Sequence, residues 1–344
     1  MELKNRINKD VLKKQLAADN TARTTLSFYR YVKIADPNAT RDQLYKEWSD
    51  LGVLGRIYLA EEGVNSQMSV PTENFEKFRA NIDANHLFTG VPFKIAVEDD
   101  GKSFYKLAIK VKEKIVADGL DDKSFDPGNT GRHLTAKEFN EAMEEGAVVV
   151  DMRNHYESEV GHFENAIKPD ADTFREEIQL VKELLKGKED EKVLFYCTGG
   201  IRCEKASAYF KHLGFKDVNQ LKGGIIDYAH QIRQEKIESK FKGKNFVFDE
   251  RIGEKITDDI VSNCHQCSHP CDTHTNCRND ACHLLFIQCE KCAQSFDGCC
   301  TKKCQEISNL PIEEQRKLRK GIELEDSLSV YKSRLRPRLD STKV

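Results

Sequence analysis

A short hydrophobic strand that runs directly into a glycine-containing loop constrains the fold of this chain more than any other feature. Residues 193–196, VLFY, are almost fully apolar and lead into Cys197, which Gly199 and Gly200 follow closely. Residues 147–153, AVVVDMR, form a second segment of the same kind. Strands that are apolar on both faces belong to parallel sheets covered by helices on each side. Helical sequences lie between and after these two segments, so a doubly wound α/β domain with a parallel sheet is predicted.

The rest of the chain is expected to form further domains, because its 344 residues exceed the size of one ordinary domain. Residues 24–125 show a strand, helix, strand, strand, helix and strand in order, which predicts a ferredoxin-like (acylphosphatase-like) α+β domain. Asn38 or Thr40 is expected to cap its first helix. The predicted organisation is an N-terminal extension (1–23), the ferredoxin-like domain (24–125), the doubly wound domain (126–243), a Cys-rich region (244–310) and a helical tail with a basic end (311–344).

Composition indicates a soluble globular protein, with 39% hydrophobic and 32% charged residues. No run of 18 apolar residues is present, so no membrane span is expected. The N-terminal residues also lack the apolar core of a secretory signal, and we therefore expect a cytoplasmic protein in a reducing compartment. A formal net charge of −3 gives no overall attraction to nucleic acid, so an RNA site would have to be a local patch.

The loop that follows residue 196 has the features of a site for a sulfur anion. Two glycines permit positive φ, so successive backbone N–H groups can point at the cysteine sulfur beside a helix N-terminus. These groups lower a thiol pKa and favour a nucleophilic thiolate, or a persulfide, on Cys197. A buried cysteine that only packs at the end of a strand is the alternative. The predicted catalytic residues are Cys197 and Arg202, and the predicted active-site loop comprises Thr198, Gly199, Gly200, Ile201 and Cys203.

This loop resembles that of rhodanese domains, whose pattern is Cys-x-x-Gly-x-Arg and is matched by Cys197, Gly200 and Arg202. Four residues separate the cysteine from the arginine. Phosphatases that resemble rhodaneses have five, and the wider loop accommodates a phosphate, whereas the shorter one suits a single sulfur atom. A phosphatase is therefore not expected. Cys203 is either a resolving thiol or a residue that packs at the start of the helix.

An upstream segment, residues 151–167, also resembles a rhodanese element, with Asp-x-Arg followed by Glu and Gly-His. Phe163 and Asn165 stand where isoleucine and glycine are usual. The resemblance implies that this segment holds the active site together rather than reacting. The predicted supporting residues are Asp151, Arg153 and His162.

Four segments together resemble a more specific family, the bacterial tRNA uridine hydroxylases, over roughly residues 24–310. These segments are EEGVN (61–65), GRHLTAKEF (131–139), YCTGGIRCEKAS (196–207) and the cysteine cluster (264–292). The resemblance implies oxygen-dependent conversion of uridine 34 of tRNA to 5-hydroxyuridine, with Cys197 as the essential cysteine. The implied partners are the tRNA anticodon loop, molecular oxygen and an unknown electron donor. No cofactor for catalysis is evident, since flavin and nicotinamide glycine motifs are missing.

Two other functions fit the same sequence. A rhodanese-type sulfurtransferase would carry a persulfide on Cys197 and pass its sulfur to a thiol or to RNA. A non-catalytic binding module would use the Cys-rich region and the tail to engage a partner. The intact Cys-x4-Arg loop disfavours the binding module, because inactive rhodanese domains typically lose the cysteine.

Ten of the 12 cysteines cluster near the C-terminal end, which predicts a metal site. The candidate ligands are Cys264, Cys267, Cys271, Cys277, Cys282, Cys289, Cys292, Cys299, Cys300 and Cys304. Two Cys-x2-Cys pairs, 264/267 and 289/292, suit tetrahedral zinc, because a short turn brings both thiolates to one ion. The remaining cysteines and nearby histidines offer ligands for a second site. Disulfides, free thiols or an iron–sulfur cluster are the alternatives to structural zinc.

Two basic segments are candidates for contact with RNA phosphates. One lies on a predicted strand and contains Lys106, Lys110 and Lys112 on one face. The other lies in the tail and contains Lys332, Arg334 and Arg336. An ordinary solvated surface is the alternative for both. The wobble base itself is expected to be held as an unstacked, single-stranded base.

Overall fold

The computed structural model describes residue 5, residues 7–121 and residues 124–319. Its first part comprises α1 (Lys9–Ala18), β1 (Arg23–Tyr31), α2 (Pro37–Asp50), β2 (Leu54–Ala60), β3 (Gly63–Pro71), α3 (Phe75–Ala84), β4 (Lys94–Ile95) and β5 (Leu107–Val111). One sheet contains these strands in the order β4-β1-β3-β2-β5. The first four are antiparallel, and β5 adds to the edge parallel to β2. The predicted ferredoxin-like domain is confirmed, with one additional strand.

The core of this domain lies between the sheet and its two helices. Trp48 of α2 and Phe78 of α3 are fully buried, and their ring centroids are 5.7 Å apart. Phe28 of β1 packs edge-on against Trp48. The apolar positions of each helix thus meet the inward face of the sheet, as helical periodicity predicts.

Helix α2 begins two to four residues earlier than predicted. The Asp36 side chain accepts hydrogen bonds from the backbone N–H groups of Asn38 and Ala39, and Pro37 is the first helical residue. The prediction that Asn38 or Thr40 caps this helix was wrong. Proline suits the first helical position, because its missing N–H would have no helical partner there and its φ is already helical.

The central part of the chain alternates strands and helices. It comprises β6 (Arg132–Leu134), α4 (Ala136–Glu144), β7 (Val148–Asp151), α5 (His155–Glu159), β8 (Gly161–Phe163), α6 (Phe174–Leu184), β9 (Lys192–Tyr196), α7 (Ile201–His212), β10 (Asp217–Leu221) and α8 (Gly224–Glu235). A four-stranded parallel sheet has the order β6-β10-β9-β7. The predicted parallel α/β domain is confirmed.

Strand β9 shows why the segment is apolar on both faces. Leu194 and Tyr196 point into a core with α4 and α8, whereas Val193 and Phe195 point into a core with α6 and α7. All four side chains are fully buried. The alternation also directs the next residue, Cys197, toward the side of the sheet covered by α6 and α7.

The Cys-rich part is joined to the central domain by a small sheet. It contains β11 (Phe241–Phe246), β12 (Gly253–Lys255), β13 (His274–Asn276), β14 (Leu285–Ile287), α9 (Glu290–Phe296), α10 (Lys302–Ser308) and α11 (Ile312–Arg319). Strand β11 pairs with β8 and with β12, and it continues across residues 243 and 244, where a boundary is predicted. None of the helices within the described ranges has the length and apolar character needed to cross a membrane.

Candidate functional site

The Cys197 loop connects the end of β9 to the start of α7. Gly200 precedes the helix with a φ of +96°, a conformation that L side chains rarely adopt. Its backbone N–H donates a hydrogen bond to the Cys197 sulfur at 3.1 Å. The loop therefore curls back over its own cysteine, as the two glycines predict.

The N-terminus of α8 fixes the other side of the same loop. The backbone N–H of Ile225 donates to the Cys197 carbonyl at 3.0 Å, and that of Ile226 donates to the Thr198 carbonyl at 3.2 Å. A Cβ atom on Gly224 would lie 2.6 Å from both carbonyl oxygens, so only glycine permits this approach. Because α8 binds the carbonyl groups of the loop, the N–H groups of the loop can point at the Cys197 sulfur.

The electrostatic environment favours the thiolate form of Cys197. Burial alone would raise its pKa. The Cys203 thiol, the charge of Arg202 and the backbone N–H groups of both residues outweigh burial and lower the pKa from 9.0 to about 6. A thiolate is accordingly the main form at neutral pH, and it is the reactive form of cysteine.

Arg202 is held by Glu157, a residue that was not predicted as part of the site. Two guanidinium nitrogens donate to the Glu157 carboxylate at 2.6 and 2.9 Å, and one of them also approaches the Thr198 hydroxyl at 3.3 Å. Burial would raise the pKa of Glu157, but the charge of Arg202 and its hydrogen bonds lower it. Glu157 lies in the segment that resembles rhodaneses, yet its spacing from Arg202 along the chain gives no sign of the pairing.

The predicted supporting residues Asp151 and Arg153 form a buried pair beneath the loop. The guanidinium donates to both carboxylate oxygens at 2.8 and 2.6 Å and to the Gly161 carbonyl at 2.6 Å. The Tyr196 hydroxyl donates to Asp151 at 2.6 Å, which ties β9 to β7. His162 lies nearer the surface, where its ring nitrogens meet the Ser158 carbonyl and the Lys168 ammonium group.

Cys203 is fully buried at the third position of α7. Burial and the neighbouring Cys197 raise its pKa well above the usual range, so it remains a thiol at neutral pH. The protonated group acts as a hydrogen-bond donor to the Cys197 sulfur. In this state the two cysteines form a donor–acceptor pair rather than two thiolates.

Glu177 of α6 is a second residue that sequence patterns did not single out. It is fully buried, and neither carboxylate oxygen has a hydrogen-bond partner among the described residues. Burial raises its pKa well above the usual range, so the side chain is a neutral acid despite the nearby Arg202. Its position on the helix resembles that of an ordinary surface glutamate, and only the packed structure shows otherwise.

The N-terminal domain contacts the loop and the helix that follows it. The Tyr29 hydroxyl donates to the Glu204 carboxylate at 2.8 Å, and the Tyr31 hydroxyl approaches the Ile201 carbonyl at 3.3 Å. Lys94 lies against Gly199 from the same side. The active-site loop is therefore located between two domains.

Eight of the ten clustered cysteines form two groups of four. The first group contains Cys264, Cys267, Cys289 and Cys292, and the second contains Cys277, Cys282, Cys300 and Cys304. Within each group the four sulfur atoms lie within 4.8 Å of one another, a spacing suited to a tetrahedral metal site. Cys271 and Cys299 belong to neither group. The two Cys-x2-Cys motifs, which were predicted to share one metal site, thus lie next to each other in the structure.

The second group has no histidine, although nearby histidines were expected to offer ligands. His265 instead contacts Glu159 at 2.8 Å. Each of the 12 cysteines is a free thiol, and neighbouring sulfurs such as those of Cys267 and Cys289 lie 3.6 Å apart, well beyond a disulfide bond.

The predicted basic face lies on and beside β5. Lys110 and Lys112 are exposed, while Leu107 and Ile109, which alternate with the lysine face along the chain, are buried. Lys106 is partly exposed and lies 5.8 Å from the centre of the neighbouring Tyr105 ring. The other predicted RNA contacts, Lys332, Arg334 and Arg336, lie outside the described residues.

Family comparisons agree with this division of the chain. Residues 23–115 match the UPF0176 acylphosphatase like domain, residues 135–231 match the rhodanese-like domain, and residues 242–305 match the domain described as rhodanase C-terminal. Among solved structures, a rhodanese-related protein from Thermoplasma volcanium is 23% identical and covers 29% of this chain and 92% of its own, with a TM-score of 0.25.

Curated relatives match nearly the whole chain. A tRNA uridine(34) hydroxylase from Leptospira interrogans is 58% identical over 338 residues, which cover 98% of this chain and 92% of the relative. A protein of the same name from Cronobacter sakazakii is 53% identical and covers 93% of both chains. The similarity includes the N-terminal domain, the Cys197 loop and the Cys-rich part.

Proposed function

Because the chain belongs to the tRNA uridine(34) hydroxylase family, we propose that it hydroxylates the wobble uridine of tRNA to 5-hydroxyuridine and uses molecular oxygen. The observation that carries this proposal is the 58% identity over 98% of the chain to a relative of that name. The enzyme would be an oxidoreductase of the monooxygenase type that acts in the cytoplasm, where its tRNA substrate is found.

The overall reaction needs an electron donor as well as oxygen. Uridine, one O2, two electrons and two protons give 5-hydroxyuridine and one water, so a separate reductant must supply the two electrons. Within the chain, Cys197 is the nucleophile, because its sulfur is anionic at neutral pH. Arg202 stabilises that charge while Glu157 fixes the guanidinium. The alternative sulfurtransferase function would use the same thiolate, but relatives across the whole chain favour hydroxylation.

Contacts with tRNA are assigned to the basic face of the N-terminal domain. Lys106, Lys110 and Lys112 would bind phosphates of the anticodon loop, and Lys332, Arg334 and Arg336 of the tail would extend that contact. A wobble base has to leave its stack to reach Cys197, because the sulfur is buried between two domains.

Structural zinc is proposed at both four-cysteine groups. Four thiolates that converge within 4.8 Å suit Zn²⁺, whose charge offsets their mutual repulsion. Zinc would join the turn that contains Cys264 and Cys267 to the start of α9 in the first site, and the loop between β13 and β14 to the start of α10 in the second. Bound there, zinc supplies folding energy rather than chemistry.

The proposal is tested in cells that lack the endogenous enzyme and carry either the wild-type chain or Cys197→Ala. Liquid chromatography and mass spectrometry of digested tRNA would show 5-hydroxyuridine with the wild type and none with the variant. Incubation of the purified enzyme with ¹⁸O2 would place the label in the product. Normal hydroxylation by Cys197→Ala, or label that enters only from water, would contradict the proposal.

A further inference from the structure

Lys94 brings a positive charge from the N-terminal domain to the Cys197 loop. It lies on β4, and only 5% of the residue is exposed. Its Nζ atom is 4.4 Å from the centre of the Tyr29 ring, and a Cβ atom placed on Gly199 would lie 3.6 Å from its Cδ atom. The side chain therefore lies directly against the active-site loop.

Neighbouring groups anchor the ring beneath Lys94 without binding its ammonium group. The Tyr29 hydroxyl donates to Glu204, which also contacts the His133 ring at 3.0 Å. Among the described residues, Nζ has the aromatic ring but no hydrogen-bond acceptor within reach. The residue is largely buried, and its ammonium group lies over the Tyr29 ring beside the Cys197 loop with donors left for a ligand.

We propose that Lys94 is a further catalytic residue, whose ammonium group donates a hydrogen bond to an oxygen of the substrate base bound at Cys197. This inference rests on the proposed function, since it takes the substrate to be a uracil base in RNA. Lys94 belongs to a different domain from Cys197, so the complete active site forms only where the two domains meet.

The charges around Lys94 indicate which substrate oxygen it meets. Asp227, Cys197 and Glu204 are all negative groups close enough to influence it. A phosphate would add a permanent negative charge to this set and would be repelled. A base carbonyl is neutral when it binds and gains charge only as the thiolate of Cys197 adds to C6 of the uracil: the S–C6 bond forms, the C5=C6 π bond breaks and its electron pair moves to O4. The S–C6 bond breaks again when the product base is released, which returns the thiolate. During the addition, one negative charge moves from the Cys197 sulfur to the oxygen of the base, and the total negative charge near Lys94 stays constant. Under this condition Lys94 stabilises the transition state rather than the bound substrate.

The test compares Lys94→Met and Lys94→Arg with the surface control Lys216→Met. Lys216 is exposed, and its partner among the described residues is Asp190. Hydroxylation of a tRNA anticodon stem-loop should show kcat reduced about 100-fold in Lys94→Met, as for loss of one oxyanion donor. KM should change less than about threefold, because the contact forms in the transition state. Lys94→Arg should recover part of the rate, and Lys216→Met should resemble the wild type. If Lys94→Met fails to fold, Lys94→Gln replaces it.

A second measurement separates contact with substrate from an effect on the thiolate. Alkylation of Cys197 is followed by peptide mass spectrometry. Its pH dependence gives the midpoint at which half of the thiol is ionised. A second quantity is the rate of alkylation by anionic iodoacetate divided by the rate with neutral iodoacetamide. In Lys94→Met the midpoint should rise by less than about one pH unit, because the ammonium group and the thiolate attract each other, while the ratio should fall about tenfold, equivalent to about 1.4 kcal/mol. The ratio does not depend on hydroxylation, so it tests the position of Lys94 even if the proposed function fails.

Three results would overturn the inference. A raised KM with unchanged kcat would indicate a phosphate contact. A lost rate that returns fully at high pH, with a Cys197 midpoint displaced by more than about one pH unit, would mean that Lys94 acts through the thiolate. Unchanged kinetics and an unchanged alkylation ratio would mean that Lys94 has only a structural role.

Discussion

The Cys197 loop and the Cys-rich part stabilise cysteine sulfur in different ways. In the loop a single sulfur is buried and is surrounded by N–H groups, one thiol and one arginine. The Cys-rich part contains two groups of four sulfur atoms, and within each group the sulfur atoms lie within 4.8 Å of one another. Backbone dipoles and one arginine suffice for one negative charge, whereas four thiolates so close together need a divalent cation. This difference between the two environments is the basis for proposing that one cysteine is reactive and that eight have a structural role.

Removal of zinc should have the largest effect and should affect only one of the two regions. Structural zinc contributes about 10–16 kcal/mol in small zinc-binding peptides. A strong chelator is therefore expected to abolish hydrogen-exchange protection in β13 and β14, while the parallel sheet and the alkylation of Cys197 are retained.

Cys289→Ser and Cys271→Ser provide the matched pair for this prediction. Cys289 belongs to the first sulfur group, and Cys271 lies in the same region outside both groups. Metal analysis should show one zinc fewer in Cys289→Ser and an unchanged content in Cys271→Ser. Protein purified under reducing conditions without stoichiometric zinc, yet with a protected β13–β14 hairpin, would contradict the role assigned to the metal.

Glu157→Gln tests whether the loop depends on a buried ion pair rather than on a metal. The substitution leaves the Arg202 charge buried without its partner, which costs about 3–5 kcal/mol. Urea denaturation of the zinc-loaded protein should show this loss, and hydroxylation should fall with it. Glu164→Gln, which removes a longer and more exposed contact with Lys242, should cost less than about 1 kcal/mol. Equal stability of the two variants would contradict the importance of the buried pair.

Much of this architecture could be predicted from the sequence, because it depends on local patterns. Apolar strands indicated the parallel sheet, and Gly199 and Gly200 indicated the loop over Cys197. Two Cys-x2-Cys motifs indicated the first sulfur group. The second group was harder, since Cys277, Cys282, Cys300 and Cys304 have irregular spacing and come together only through the turns between them.

The parts that could not be predicted depend on contacts between distant segments. Glu157 meets Arg202 across 45 positions of the chain, and Lys94 reaches the loop from another domain. Glu177 has the sequence context of a solvent-exposed helix residue but is fully buried. No sequence periodicity or motif indicates that these residues lie close together. The misplaced cap of α2 has a more local cause, because Pro37 displaced the helix start toward Asp36.

Cys203→Ala should produce the smallest of these effects, confined to the loop. Loss of the thiol donor removes one hydrogen bond to a charged group, so the pKa of Cys197 should rise by about one unit. Activity at pH 6 should then fall about fivefold, because the thiolate fraction falls, while activity at pH 8 should change little. Cys299→Ala is the control, since Cys299 is buried in the Cys-rich part. A uniform loss at both pH values would point to a chemical role for Cys203, such as that of a resolving thiol.

The pH dependence of Cys197 alkylation tests most directly whether the loop holds a thiolate without a metal. The folded chain lowers the pKa of Cys197 from 9.0 to about 6, so the alkylation rate should be half-maximal near pH 6 and should reach a plateau about one to two pH units higher. Peptide-resolved mass spectrometry with iodoacetamide, on zinc-loaded and on chelated protein, gives this midpoint. The expected result is the same midpoint in both samples. A midpoint near that of a free cysteine, or one that moves when zinc is removed, would contradict the separation of the two sulfur environments.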